Sequence, residues 1–315
     1  MLRSPICDLL GIKYPVFQGA MAWIADADLA AAVSNAGGLG IIAGGSAPVD
    51  IIRQQVRKCR TLTDKPFAVN IMLMSPAAPD IAQMVVEEKV PVVTTGAGSP
   101  AKYMAAWQGA GIKVIPVIPS SGIAKSVERY GAVAVVAEGG ESGGHVGDLT
   151  TMALVPQVVD AVTIPVLAAG GIGDGRGMAA AFMLGASGVQ MGTRFLVAKE
   201  CNVNPVYKQK IIAAKDIDTI ATGKRLGHPV RGLKTAFSRR FFEMEYDPTV
   251  SNEDLEKFGE GALQAAAIRG DEEHGAFMAG QIAGLVKQEQ TCAEIIEETV
   301  GEAEALLKGA GKWVV

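Results

Sequence analysis

Between Ala137 and Gly147 the chain reads Ala-Glu-Gly-Gly-Glu-Ser-Gly-Gly-His-Val-Gly. Five glycines surround one histidine, His145, directly after the apolar run Ala132 to Ala137. That run predicts a buried strand. A strand that opens into glycines lets backbone approach a ligand closely. An imidazole held there exchanges protons near neutral pH. Two further glycine-rich segments follow apolar runs: Ala169-Gly170-Gly171 and Gln190-Met191-Gly192-Thr193. Backbone N–H groups bared at such ends, beside a short helix start, suit an anion. Gly170, Gly171, Gly192 and Thr193 are therefore the phosphate candidates, with tight turns that bind nothing as the alternative. Asn70, Thr95 and Glu138 are placed to hydrogen-bond the polar edge of a ligand. Met21, after Gly19 and Ala20, is placed to lie against a flat ring, although each of these residues could simply serve neighbouring backbone.

The elements that must position these groups alternate regularly. Strands are predicted at Pro15–Gln18, Leu39–Ala43, Pro66–Leu73, Val90–Thr95, Lys113–Ile118, Ala132–Ala137, Pro165–Ala169 and Gly188–Met191. Helices are predicted at Ala25–Asn35, Val49–Thr61, Pro79–Lys89, Ala101–Gly109, Ser121–Tyr130, Leu154–Ala161 and Gly177–Leu184. Strand–helix alternation implies a parallel sheet, and eight units suggest closure into a (β/α)8 TIM barrel. An open doubly wound sheet is the rival, but no G-x-G-x-x-G follows the first strand. In a barrel the chemistry gathers at the C-terminal strand ends, where the glycine and polar clusters stand. After residue 199 the pattern changes. Residues 200–275 are mixed and charge-rich and read as an inserted, smaller helical subdomain near the C-terminus. Gly275–Val286 is small and apolar and is expected to return to the barrel, followed by an amphipathic helix over Cys292–Leu307. The barrel unit is thus 1–199 plus about 276–315.

Composition fits this reading. The chain has 315 residues, 49% of them hydrophobic, enough for one large core. No apolar run reaches the roughly 18 residues of a membrane span, and the first residues lack a signal-peptide core. A cytoplasmic protein that does not bind membranes is expected. Cys7, Cys59, Cys201 and Cys292 are scattered without metal-ligand spacing, so neither a metal site nor a disulfide framework is expected. The net charge of −4 argues against nucleic-acid binding. Residues 194–240 nevertheless hold eleven Lys/Arg against three Asp/Glu, while 241–315 hold five against sixteen. The basic segment could steer an anionic partner, or be a solvated face that pairs with the acidic C-terminal part.

Several segments jointly resemble the FMN-dependent enoyl-acyl-carrier-protein reductase II (FabK) family. They are Gly19-Ala20-Met21-Ala22-Trp23, Ser34 to Gly40, Asp64-Lys65-Pro66-Phe67 with Asn70, Thr95 to Gly98, and Glu141 to His145. Ala168 to Ile172, Gln190 to Phe195, Gly227-His228-Pro229-Val230-Arg231 and Met278-Ala279-Gly280-Gln281 complete the set. The wider superfamily, which includes nitronate monooxygenases, shares the barrel motifs; the last two segments favour the reductase branch. Ala20 stands where many relatives have glycine, a change expected to alter packing near the flavin slightly.

The resemblance implies FMN at the barrel mouth, NADH or NADPH as reductant, and an enoyl thioester on an acyl carrier protein as acceptor. It implies His145 as the catalytic polar group. It implies FMN contacts from Gly19, Ala20, Met21, Asn70, Thr95, Glu138, Ser142, Gly144, Gly170, Gly171, Gly192, Thr193, Met278 and Gln281. The acidic carrier protein gives the basic 194–240 segment a role through Arg225, Arg231, Lys234, Arg239 and Arg240, unless these meet a dinucleotide phosphate. A homodimer is expected of the family. His228 is expected only to shape a turn and His274 to be exposed. Two rival functions remain at this stage: a nitronate monooxygenase, in which the same histidine is a base and O2 reoxidises the flavin, and a phosphate-ligand-binding barrel without turnover.

Overall fold

A computed structural model describes residues 2, 4–45 and 47–313. Eight parallel strands form the central sheet: β1 (Val16–Gln18), β2 (Gly40–Ala43), β3 (Phe67–Met72), β4 (Val92–Gly96), β5 (Lys113–Ile118), β6 (Val135–Glu138), β8 (Val166–Ala169) and β9 (Gly188–Met191). Three short strands lie outside it: β7 (Gly144–His145), β10 (Thr219–Thr222) and β11 (Val230–Leu233). The barrel order is β1-β9-β8-β6-β5-β4-β3-β2. A parallel bridge between Phe17 and Leu39 joins the two ends, with Gln18 N–H donating to Leu39 O at 3.0 Å. The sheet is a closed (β/α)8 TIM barrel, and the open doubly wound alternative falls.

The strands bury both faces, which is why they read as Val/Ile/Ala runs and not as alternating patterns. Phe17, Leu39, Ile41, Ala68, Val92, Ile115, Val136 and Leu167 fill the inside. Outer faces pack on helices such as Ala27–Asn35, capped by the Asp26 carboxylate, and Gly175–Met183, capped by Asp174. The helix Cys292–Lys308 packs on the latter, where Gly175 N–H donates to Glu302 at 2.8 Å. A Cβ at Gly175 would lie 2.5 Å from the Glu302 Cβ, so only glycine lets these helices meet so closely.

Three differences from the sequence expectation have physical causes. A helix over Pro5–Leu10, capped by Ser4 and ended by Gly11 (φ 69), sends Ile6 and Leu10 into the barrel interior and closes its N-terminal end. The helix expected from Leu154 starts at Thr151, because the Glu141 carboxylate takes the Thr151 N–H at 2.9 Å and its hydroxyl at 2.9 Å. The inserted segment is not purely helical. It carries the antiparallel hairpin β10–β11, and β11 continues the sheet onto β7. Phe237, Phe241, Leu255 and Ala262 form a small core of its own. Tyr207 and Ile211, by contrast, belong to the barrel's outer core. Among the described residues no helix is long and apolar enough to cross a membrane, and no group of three His, Cys, Asp or Glu could hold a metal.

Candidate active site

The C-terminal ends of the strands bring the candidate residues to one mouth. At the β8 end, Gly170 (φ 89) and Gly171 (φ 71) adopt left-handed backbone that favours glycine. A Cβ at Gly170 would lie 2.8 Å from Gly139 O, so the turn admits no side chain. At the β9 end, a Cβ at Gly192 would meet only the Met21 sulfur, at 3.9 Å. Met21 thus lies beside one phosphate candidate, with open space over the glycine. Thr193 turns its hydroxyl elsewhere and accepts the Gly280 N–H at 2.9 Å. The Glu141 carboxylate lies close by: its Oε1 would lie 3.6 Å from a Cβ at Gly171.

On the opposite arc, Asn70 of β3 donates to Thr94 of β4 at 2.9 Å. Thr95 is buried, and its hydroxyl has no hydrogen-bond partner. A buried unpaired hydroxyl is costly, and a ligand's polar edge is one way to satisfy it. Glu138, half-buried at the β6 end, is pushed up to about 7 by burial, with the neighbouring Ser142 hydroxyl opposing the shift weakly. That hydroxyl is itself buried without a well-formed hydrogen bond. The orphan hydroxyl of Thr95, a glycine cradle and a carboxyl ready to share a proton beside Ser142 fit a polar-edged, phosphorylated flat cofactor such as FMN. Asn70, Thr95, Glu138, Gly170, Gly171, Gly192 and Met21 are the residues that would hold it.

His145 sits above this ring on β7, paired in register with Val230 of β11. Val146 N–H donates to Pro229 O at 3.0 Å. The hairpin delivers His228 beside it, ring centroids 6.3 Å apart. His145 is itself exposed at the surface; its pKa is lowered, by desolvation from the loop atoms around it first and by the nearby His228 second. The imidazole is therefore mostly neutral at pH 7. Arg231, half-buried, donates from Nε to Gly140 O at 3.0 Å. Arg231 is thus a strut of the histidine loop, not a free docking cation. Arg225 is likewise engaged, with the carbonyls of Glu245 and Asp247 and with Asn252.

The segment Met278 to Gln281 returns to the barrel's C-terminal strand ends, where Gly280 N–H meets Thr193. Met278 bridges Gly232, and Tyr207 holds its carbonyl at 2.7 Å. The Met278 sulfur lies 3.9 Å from where a Gly144 Cβ would be. Gln281 takes part through its backbone, donating to Glu141 O at 2.9 Å, while its side chain is exposed. Gly19 and Ala20 complete the β1 end, with Gly19 N–H on Met191 O at 2.9 Å. His274 is exposed and faces Asp271. Two functional neighbours escaped the sequence: His228 as a ring beside His145, and Glu141 as the cap of Thr151. No local spacing signals either contact.

Comparison with known proteins agrees with this architecture. The family model described as nitronate monooxygenase matches residues 3–88 and 81–302. The solved structure of FabK from Thermotoga maritima is similar at 49% identity and TM-score 0.97, each chain covered in full. A Mycobacterium tuberculosis protein named (3aS,4S,5R,7aS)-5-hydroxy-7a-methyl-1-oxo-octahydro-1H-indene-4-carboxyl-CoA dehydrogenase is 34% identical over 99% of both chains. A probable nitronate monooxygenase from Staphylococcus saprophyticus is 33% identical over 97% of this chain and 99% of its own. With a matching barrel, a matching family model and relatives that span its whole length, the chain belongs to the nitronate monooxygenase family of flavoprotein oxidoreductases.

Proposed function

We propose that this protein is an FMN-dependent enoyl-thioester reductase that draws on NADH or NADPH and acts on acyl chains borne by an acidic carrier protein. The observation that carries the reading is the full-length similarity to FabK at 49% identity, against 29–35% for relatives named otherwise. It is supported by the hairpin that zips Gly227–Arg231 onto the His145 strand and roofs the mouth. Bound FMN would supply the hydride relay between the nicotinamide and the β-carbon of the enoyl group. The protein's part is orientation and proton control. His145, neutral at pH 7, offers an N–H to the thioester oxygen as that atom gains charge. Glu138, with a pKa of about 7, still holds a proton in a large fraction of molecules at neutral pH. Met278 and the Gly143–Gly280 contact press the roof onto the mouth and limit water.

A second reading, oxidation of alkyl nitronates, is favoured by the names of several relatives, including the Staphylococcus saprophyticus protein. There His145 would act as a base. Anaerobic mixing separates the two. The reductase bleaches its flavin with NADH or NADPH and recolours on addition of crotonyl thioester. A flavin that neither nicotinamide bleaches, but that turns over a nitronate in air, would overturn the proposal. Protein that stays colourless after reconstitution with FMN would overturn both readings.

A further inference from the structure

Trp23 is held in left-handed backbone, φ 65, a conformation that a bulky residue rarely adopts. It sits in a tight turn after β1, in which the Ile24 and Ala25 N–H groups both reach Met21 O, at 3.0 and 2.8 Å. Both flanks are fixed: Ile24 and Ala25 are buried in the barrel's outer core, and Met21 reaches the Gly192 turn. The turn follows the C-terminal end of β1, and Trp23 is 39% exposed there. Along the same arc, after β3, Met74 is 67% exposed. Between them the Ala22 Cβ closes on Gly45, 3.3 Å from where a Cβ there would stand. The strand order places this arc across the mouth from β6, which leads to Glu138, Ser142 and His145. The β6 side of the mouth thus carries the proton-bearing groups Glu138 and His145, with Asn70 and Thr95 deeper at the ends of β3 and β4. The outer rim after β1 and β3 carries exposed apolar side chains, Trp23 and Met74, one of them in strained backbone.

We propose that Trp23, with Met74 two strands along the same rim, forms the platform for the apolar acyl chain of the substrate beyond its reacting double bond. The inference rests on the enoyl-thioester reading, since that substrate carries a polar thioester and a long apolar tail in one molecule. The two ends match the two sides of the mouth. Tail length is then sensed by the indole, and the thioester by the opposite side.

The test needs no turnover. Binding of saturated decanoyl-CoA and butyryl-CoA to the flavin-loaded oxidised enzyme is measured by calorimetry, for the wild type, Trp23→Gly and Trp23→Phe. The wild type binds the longer chain more tightly. Trp23→Gly, whose residue suits the left-handed turn, is expected to weaken decanoyl-CoA about tenfold and to leave butyryl-CoA unchanged. Trp23→Phe restores most of the difference. Flavin absorbance per protein and far-ultraviolet circular dichroism confirm that the variants are folded and loaded. Equal loss for both chains, an unchanged preference for the longer chain, or loss of flavin from Trp23→Gly each overturns the platform. An enzyme that bleaches with NAD(P)H yet shows one of those results loses only this inference. A wild type that binds no acyl-CoA at all overturns it together with the substrate reading.

Discussion

Glu138 is the residue whose ionisation the fold perturbs most usefully. Its pKa rises from 4.5 to about 7, chiefly through burial. The folded chain keeps a proton that the unfolded chain has already released, so stability falls as pH rises from about 4.5 to about 7 and stays lower above. Glu138→Gln removes that dependence. The flavin-free variant should melt about 4 °C above wild type at pH 8, and the two should converge near pH 5. A lower Tm for the variant at pH 8 would show that the carboxylate is paired when charged. His145, although exposed, carries the opposite shift, lowered by desolvation and by His228. Removing His228 in His228→Ala should move the acid limb of the enoyl-reduction pH profile upward, towards the ordinary imidazole value. His145→Ala should slow enoyl reduction about 100-fold with FMN retained. Turnover equal to wild type would take His145 out of the mechanism. At this scale the sequence was legible where glycine runs announced backbone doing unusual things: Gly170, Gly171 and the loop of His145. His228 read only as a turn residue, and Glu141 carried no role of its own. Their roles depend on contacts made only once the hairpin folds back on β7 and the loop folds onto Thr151.

Elements decide whether those residues meet. The roof of the mouth depends on one backbone-to-backbone approach. A Cβ at Gly143 would stand 2.6 Å from the Ala279 carbonyl carbon and 2.7 Å from the Gly280 nitrogen. Backbone on both sides cannot give way as a flexible side chain would. Gly143→Ala should therefore lift the Met278–Gln281 return off the histidine loop. The expected cost is about 2 kcal/mol, read as a fall in Tm of about 3 °C. The flavin should also dissociate more readily, because Met278 and the Thr193–Gly280 hydrogen bond shift with it. A variant with wild-type Tm and flavin affinity would mean that the return segment is not part of the site. The eight barrel strands and most of the helices could be read from Val/Ile/Ala runs and their glycine ends, since strands buried on both faces have strong, simple composition. β10 and β11 could not be read. Each has four residues of mixed polarity, Thr-Ile-Ala-Thr and Val-Arg-Gly-Leu, and none but Leu233 is buried. Such strands exist because a neighbour completes their hydrogen bonds. The Pro5–Leu10 helix was signalled by Ser4, Pro5 and Gly11, but six residues carry too little periodicity to stand out.

Across the whole molecule the uneven charge acquires a shape. Part of the basic segment pairs inward with the acidic C-terminal part: Lys208 with Glu289 at 3.2 Å, and Lys210 with Glu272 at 2.6 Å. Arg225 and Arg231 are spent on backbone carbonyls within the insertion and the histidine loop. Lys234, Arg239 and Arg240 remain exposed, and Arg240 pairs with the exposed Glu243 at 3.5 Å and lies near Asp247, an arrangement worth little in water. These three flank the end of β11 and the start of the helix Ala236–Tyr246, on the same insertion that roofs the site. A carrier protein with an acidic face could dock there while its acyl arm enters the mouth. Attraction of that kind mainly speeds encounter, and it fades when the screening length falls to about 8 Å at physiological salt. Arg239→Glu combined with Arg240→Glu should raise KM about tenfold for carrier-borne enoyl substrates at low salt and leave KM for the coenzyme A thioesters nearly unchanged. The gap should narrow as salt is added, since the wild type loses the attraction and the variant loses the repulsion. If both substrate forms suffer equally at every salt concentration, the two arginines serve the thioester or the dinucleotide itself, and the carrier surface must be sought elsewhere on the insertion.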